Sequence, residues 1–141
     1  KLKREKPKFK NLKYKKILSH LIKMDNSRSD IGIVYKKKIL ESGTSNLLFI
    51  KDKKVFTPRN DYYEGNTFKF FKTRIKKIIK KDILINELNK YDEIILVGSG
   101  KGVASVKTIK QIGWKRKKLE QFKKFSKYYL IAKKKCNLYK F

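Results

Sequence analysis

The sequence predicts a mixed α/β (α+β) fold built as one domain, on three observations. Segments of helical apolar spacing alternate with short apolar runs of strand length. One such run, 94–97, is an unbroken Ile-Ile-Leu-Val, as expected of a strand covered on both faces. The 141 residues, 40% apolar and 13% aromatic, suffice for one sizeable core and exclude a wholly disordered chain. No internal repeat or linker marks a boundary, so residues 1–141 read as a single unit.

Taken in order, residues 1–9 are a charged, Pro-interrupted lead-in. A helix is expected over 13–24, where Tyr14, Ile17, Leu18, Leu21 and Ile22 share a face; the polar cluster 25–30 breaks it. Short strands are expected over 31–35, 47–51 and 54–57, with Lys51-Asp-Lys53 as a hairpin turn, together a small β-meander. The spacing of Phe68, Phe71, Ile75, Ile78 and Ile79 predicts a helix over 67–80, with Gly65-Asn-Thr67 supplying its N-cap. After the buried strand, a second strand is expected over 103–109 and a basic amphipathic helix from 115 to about 137. Along that helix Phe122, Phe125, Tyr128 and Tyr129 form a stripe that suits either a subunit seam or an intramolecular core face.

With 40 basic against 12 acidic residues, the formal charge of +28 points first to nucleic acid. Only five of the basic residues are Arg (Arg4, Arg28, Arg59, Arg74, Arg116), whereas base and phosphate forks favour the planar guanidinium. The Lys excess accompanies abundant Ile, Asn, Tyr and Phe, a profile that AT-rich coding also produces. Non-specific polyanion binding at low salt follows whatever the function. No apolar run approaches the roughly 18 to 20 residues that span a bilayer, and the first residues lack the apolar centre of a signal peptide. The lone Cys136 permits no internal disulfide and suits a reducing compartment. A soluble, cytoplasmic protein with no membrane partner is expected. The chain does not begin with Met, so its start need not be the natural one.

Three glycines follow the buried strand in Gly98-Ser-Gly-Lys-Gly102. A Walker loop would need Gly and Ser or Thr where Ile95 and Gly102 stand, and a Rossmann fingerprint would need a helix where 103–109 reads as a strand. A tight turn whose amides hold one phosphate remains. Gly65-Asn-Thr67 offers a second seat, because the first turn of a helix has free N–H groups at the positive end of its dipole. Glu41 precedes a Gly/Ser/Thr/Asn turn that runs into an apolar strand, a geometry suited to presenting one charge to a bound ring. Two anion seats and one carboxylate fit a ligand with a phosphate on one side and a protonatable ring nitrogen on the other.

These motifs resemble the larger domain of the fold-type IV pyridoxal-phosphate enzymes, the class IV aminotransferases and 4-amino-4-deoxychorismate lyases. Glu41-x-x-x-x-Asn46 followed by a strand, a turn and Thr57-Pro58 is similar to that family's pattern. Gly65-Asn-Thr67 resembles its Gly-Ile-Thr phosphate loop, and Asp92-Glu-Ile-Ile-Leu-Val-Gly-Ser99 its Asp-Glu-Val-Phe strand. Order and spacing agree over roughly residues 10 to 110. The resemblance implies a mixed sheet or pseudo-barrel with flanking helices.

It further implies pyridoxal 5'-phosphate as cofactor, with Lys10 of Lys10-Asn-Leu-Lys-Tyr14 as the Schiff-base lysine and the general base or acid. Glu41 would keep the pyridine nitrogen protonated, so that the ring acts as an electron sink. Tyr14 would hydrogen-bond the ring oxygen. Asn66, Thr67 and Ser99, with the amides of Gly98 and Gly100, would hold the phosphate. No metal ion is required.

The substrates so implied are an amino acid and a 2-oxo acid, exchanging an amino group, and the implied assembly is a homodimer. A 4-amino-4-deoxychorismate lyase of folate synthesis would use the same residues. The family's smaller N-terminal domain, with its phosphate-binding arginine, has no counterpart here, so residues 1–141 are expected to be the larger domain of a truncated or fragmentary chain. The alternative of another class is a basic nucleic-acid-binding protein using the 115–135 helix.

Overall fold

A computed structural model describes residues 6–9 and 15–135. Its elements are helix α1 (Lys15–Leu21), strands β1 (Gly32–Tyr35), β2 (Lys38–Ser42), β3 (Asn46–Lys51) and β4 (Lys54–Pro58), helix α2 (Asn66–Arg74), strands β5 (Ile78–Lys81) and β6 (Ile83–Leu84). A short 3-10 turn (Ile85–Lys90) leads to β7 (Glu93–Gly98), β8 (Gly102–Ser105), β9 (Thr108–Ile109), β10 (Trp114–Lys115) and helix α3 (Glu120–Lys135).

The strands form a five-stranded sheet, ordered β5-β4-β3-β7-β8, a three-stranded sheet, β1-β2-β6, and the pair β10-β9. In the larger sheet β3 pairs antiparallel with both β4 and β7, while β5 runs parallel to β4. It is therefore a mixed sheet, open at β5 and β8, and no barrel closes among the described residues. The pseudo-barrel expectation is corrected to that extent.

Alternation along β3 and β7 divides the interior. Leu47, Phe49, Ile94 and Leu96 face Ile39, Ile83 and Trp114 on one side. Leu48, Ile50, Ile95 and Val97 face Phe68 and Phe71 of α2 and Phe125 of α3 on the other. Both faces are covered, which explains why β7 reads as an unbroken apolar run. A third cluster packs Ile17 and Leu21 of α1 on Ile33 and Leu40 of the small sheet. The stripe on α3 resolves as a core face, since Phe122, Tyr128 and Tyr129 pack around buried Phe125.

Four expectations change. β1 with β2 forms a sheet separate from β3 and β4, so there is no single meander, although Glu41, near the end of β2, does precede the 43–45 turn into β3. The β1–β2 hairpin turns on Lys36 and Lys37, both in the left-handed region, where Asn-Gly would have signalled the turn and Lys-Lys does not. The helix expected over 67–80 ends at Arg74, because Ile78 and Ile79 pair with Val55 and Phe56 of β4; their spacing satisfied a helix, but the neighbouring strand claims them. The strand expected over 103–109 breaks after Ser105, and the last helix starts at Glu120, with Trp114 and Lys115 paired instead to Ile109 and Thr108.

Candidate cofactor site at one end of the large sheet

The start of β3 and the end of β7 lie side by side, with Asn46 opposite Val97. Three other segments are tied to this end. Asn46 donates its amide to the Tyr63 carbonyl at 2.6 Å and accepts the Gly65 N–H at 3.0 Å, which fixes the lead-in of α2 against β3. Asn46 is itself buried, so both halves of its amide are satisfied internally. Glu41, 3% exposed, receives the Tyr63 N–H on Oε2 at 3.5 Å, which brings β2 to the same lead-in.

The Gly98 turn sits against Ser45. A Cβ at Gly98 would lie 2.6 Å from Ser45 Oγ, closer than a Cβ ordinarily approaches, and tightly, at 3.1 Å, against the Thr44 carbonyl oxygen. Glycine here is a packing requirement, and it holds the 98–102 turn beside the Ser42–Ser45 loop. A second clamp reinforces this. Asp30 accepts hydrogen bonds from Ser42 Oγ at 3.1 Å and Thr44 Oγ1 at 2.5 Å, and pairs with Lys101 at 3.3 Å; Lys101 also donates to the Ser29 carbonyl at 2.9 Å.

Helix α2 begins at Asn66 after an extended Gly65, with no side-chain cap. Its opening amides thus keep the donor capacity that free helix N-termini offer to anions. Thr67 is buried and Asn66 exposed; Gly98 is buried, Ser99 and Gly100 are exposed. The expected N-cap is therefore Gly65 by its backbone, and Asn66 is the first helical residue.

Just beyond, Glu64 binds Lys72 at 2.9 Å and Lys80 at 3.1 Å. Partial burial pushes its carboxyl up, but the two ammonium groups outweigh this and hold it below the ordinary carboxylate value. Neighbouring Tyr62 is pushed up to about 12, first by burial and then by Glu64, so its hydroxyl stays protonated at neutral pH.

Of the residues singled out by sequence, Glu41, Asn66, Thr67, Gly98, Ser99 and Gly100 come to this one end, linked through Ser45, Asn46 and Tyr63. Lys10 and Tyr14 lie outside the described residues. Sequence reasoning quoted Asn46 as part of a motif without giving it a task, and missed the Asp30–Lys101 clamp altogether. An Asn opening an apolar strand was the only signal available for the first; the second joins residues far apart in sequence and had none.

The chemistry of this donor set suits a phosphorylated pyridine. Such a set holds one carboxylate, the type of group that accepts a cationic ring N–H, and an uncapped helix start and a Gly/Ser turn at the same strand end, the types of group that bind an anion. No group of His, Cys, Asp and Glu among the described residues is arranged to hold a metal ion. No helix among them is long and apolar enough to cross a membrane.

Comparison with known proteins bears on the fold and the family. A Thermotoga maritima protein described as a branched-chain amino acid aminotransferase superimposes with a TM-score of 0.71 over 95% of this chain and 54% of its own, at 15% identity. The 4-amino-4-deoxychorismate lyase of Pseudomonas aeruginosa gives 0.68 over 89% and 50%, at 20% identity. An aminotransferase from Brucella abortus, solved bound to the cofactor PLP, gives 0.62 over 73% and 39%, at 18% identity. At these identities the likeness is one of fold. The chain spans between 39% and 54% of the length of these three structures. A search of curated protein sequences finds no match. The family model for amino-transferase class IV matches residues 2–109. Matched over most of its length, and carrying the same fold, the chain belongs to amino-transferase class IV.

Proposed function

We propose that this chain is the cofactor-binding larger domain of a pyridoxal-phosphate-dependent aminotransferase, acting on an amino acid and a 2-oxo acid. The observation that carries the reading is the convergence of buried Glu41 with the uncapped start of α2 at one end of the five-stranded sheet. Bound pyridoxal phosphate would supply an electron-withdrawing ring that stabilises negative charge at the substrate α-carbon.

The chain's own residues divide the remaining work. The Glu41 carboxylate would accept a hydrogen bond from the ring nitrogen and keep its proton in place, and burial strengthens that bond by excluding water. The amides of Asn66 and Thr67, with the Ser99 hydroxyl and the amides of Gly98 and Gly100, would bind the phosphate. Asn46 and the Gly98–Ser45 contact would hold those two seats in register. Lys10 would carry the cofactor covalently and move the α-proton, with Tyr14 on the ring oxygen. The surrounding lysines would favour its free amine by like-charge repulsion.

A 4-amino-4-deoxychorismate lyase would use the same groups, and the similarity to the Pseudomonas structure supports that as a second reading. Assembly as a homodimer in the cytoplasm completes the proposal; light scattering of the purified chain tests the first part. The deciding experiment is absorption spectroscopy with added pyridoxal phosphate, then borohydride reduction and peptide mapping. A single label on Lys10 is expected. Diffuse labelling across many lysines, or none, would overturn the assignment.

A further inference from the structure

We propose that the groove between the end of α2 and α3 is a binding site for single-stranded nucleic acid, separate from the cofactor site. A cavity of about 630 Å³ is lined by six cations, Lys53, Lys54, Arg74, Lys76, Lys77 and Lys124, over buried Phe125. Through Arg74 and Tyr128 it continues into a second cavity of about 360 Å³ that reaches Lys135. Both volumes fall in the range of ligand sites.

No carboxylate lines either cavity. None of the six cations has an ion-pair partner among the described residues, whereas Lys38, Lys72, Lys80, Lys90, Lys101 and Lys118 each have one. The nearby carboxylate of Glu93 is occupied by the amides of Gln121 and Phe122 at 2.9 Å each. Six like charges converging on one concavity repel each other, and a polyanion relieves that repulsion while releasing its own counterions.

The floor favours bases over acidic side chains. Phe70 and Tyr128 are half-buried, with Arg74 5.5 Å and Lys124 5.9 Å from their ring centroids. Alternating flat rings and cations along a groove make the platform on which successive bases stack while the backbone follows the charges. A single strand can enter such a cleft; a duplex, with its bases paired inward, cannot present them to its floor.

The test is fluorescence anisotropy of a labelled oligothymidylate of about 15 nucleotides, titrated with the full chain at stepped salt concentrations. Three of the groove cations are removed together by Lys53→Ala, Lys77→Ala and Lys124→Ala. A control with the same charge change carries Lys16→Ala, Lys23→Ala and Lys115→Ala, all exposed elsewhere. The groove variant should weaken binding by about tenfold or more and flatten the log-log salt slope by about two, while the control shifts affinity less than about twofold. Circular dichroism confirms that both variants are folded. Equal losses in the two variants would assign binding to net charge and overturn the site. Displacement of the oligonucleotide by polyglutamate at equal charge concentration would overturn the nucleic-acid assignment in favour of an acidic polypeptide. Both readouts are independent of cofactor labelling at Lys10.

Discussion

Glu41 and Glu93 are 3% and 1% exposed, yet they stand at opposite ends of the large sheet and are engaged differently. Glu93 opens β7 opposite Ile50 and places one oxygen on each of two α3 amides, both at 2.9 Å. That is a helix cap supplied from another element: it satisfies two of the four orphan donors of α3 and puts negative charge at the positive end of its dipole. Glu41 lies against the α2 lead-in, where it accepts the Tyr63 N–H at 3.5 Å and caps no helix in that contact. The same side chain, similarly buried, caps a helix at one end, and at the other is the group that the proposed function gives to a ligand.

The contrast can be broken or sharpened by substitution. The largest effect is expected at the Glu41 end: Lys10→Ala should abolish the borohydride-fixed cofactor label, read by peptide mass, with an unchanged urea midpoint. Glu41→Gln keeps the shape and removes the charge, so amino-group transfer in a single-turnover absorbance assay should fall by about a hundredfold or more, again without loss of stability. If its unfolding midpoint drops sharply, Glu41 is structural like Glu93.

At the other end the order reverses. Glu93→Ala strands two part-buried amides and removes a buried charge partner of the helix start, and should cost roughly 2 kcal/mol in urea unfolding, while the folded fraction still takes up cofactor. Back at the Glu41 end, Gly98→Ala should cost about 1 to 3 kcal/mol through its collision with Ser45, and on the proposed function should also weaken cofactor affinity.

The smallest effect concerns pH. Glu64 titrates below its ordinary value because Lys72 and Lys80 outweigh its partial burial, so its contribution is present above the unfolded carboxylate pKa of 4.5 and is lost as pH falls through the lower folded value. Glu64→Gln should therefore remove part of the acid-limb slope in thermal melts below about pH 4.5, and leave the melting temperature near pH 7 only slightly lower.

Much of this was legible in the chain. The strands at 46–51, 54–58 and 93–98 were readable because their apolar runs are bounded by polar turns, and Lys51-Asp-Lys53 marked a hairpin. The end of α2 was not, because Ile75, Ile78 and Ile79 fit a helical stripe as well as a strand, and only the availability of β4 as a parallel partner decides. Strand β2 was missed because a Lys-Lys turn carries no Gly or Asn. The delayed start of α3 depends on Glu93, 27 residues before Glu120, a distance over which sequence pattern carries no information.

By itself, then, the sequence determined the class of fold, the family pattern, and which residue types could serve a phosphate and a ring nitrogen. Those follow from local spacing and turn chemistry, which act within a few residues. Tertiary structure alone decided that Asn46 fastens the α2 lead-in, that Gly98 must lack a side chain because Ser45 lies beneath it, that the aromatic stripe of α3 is core, and that Glu41 and Glu93 face different neighbours. Each depends on contacts between segments far apart in the chain, and those exist only once the sheet has brought its strand ends together.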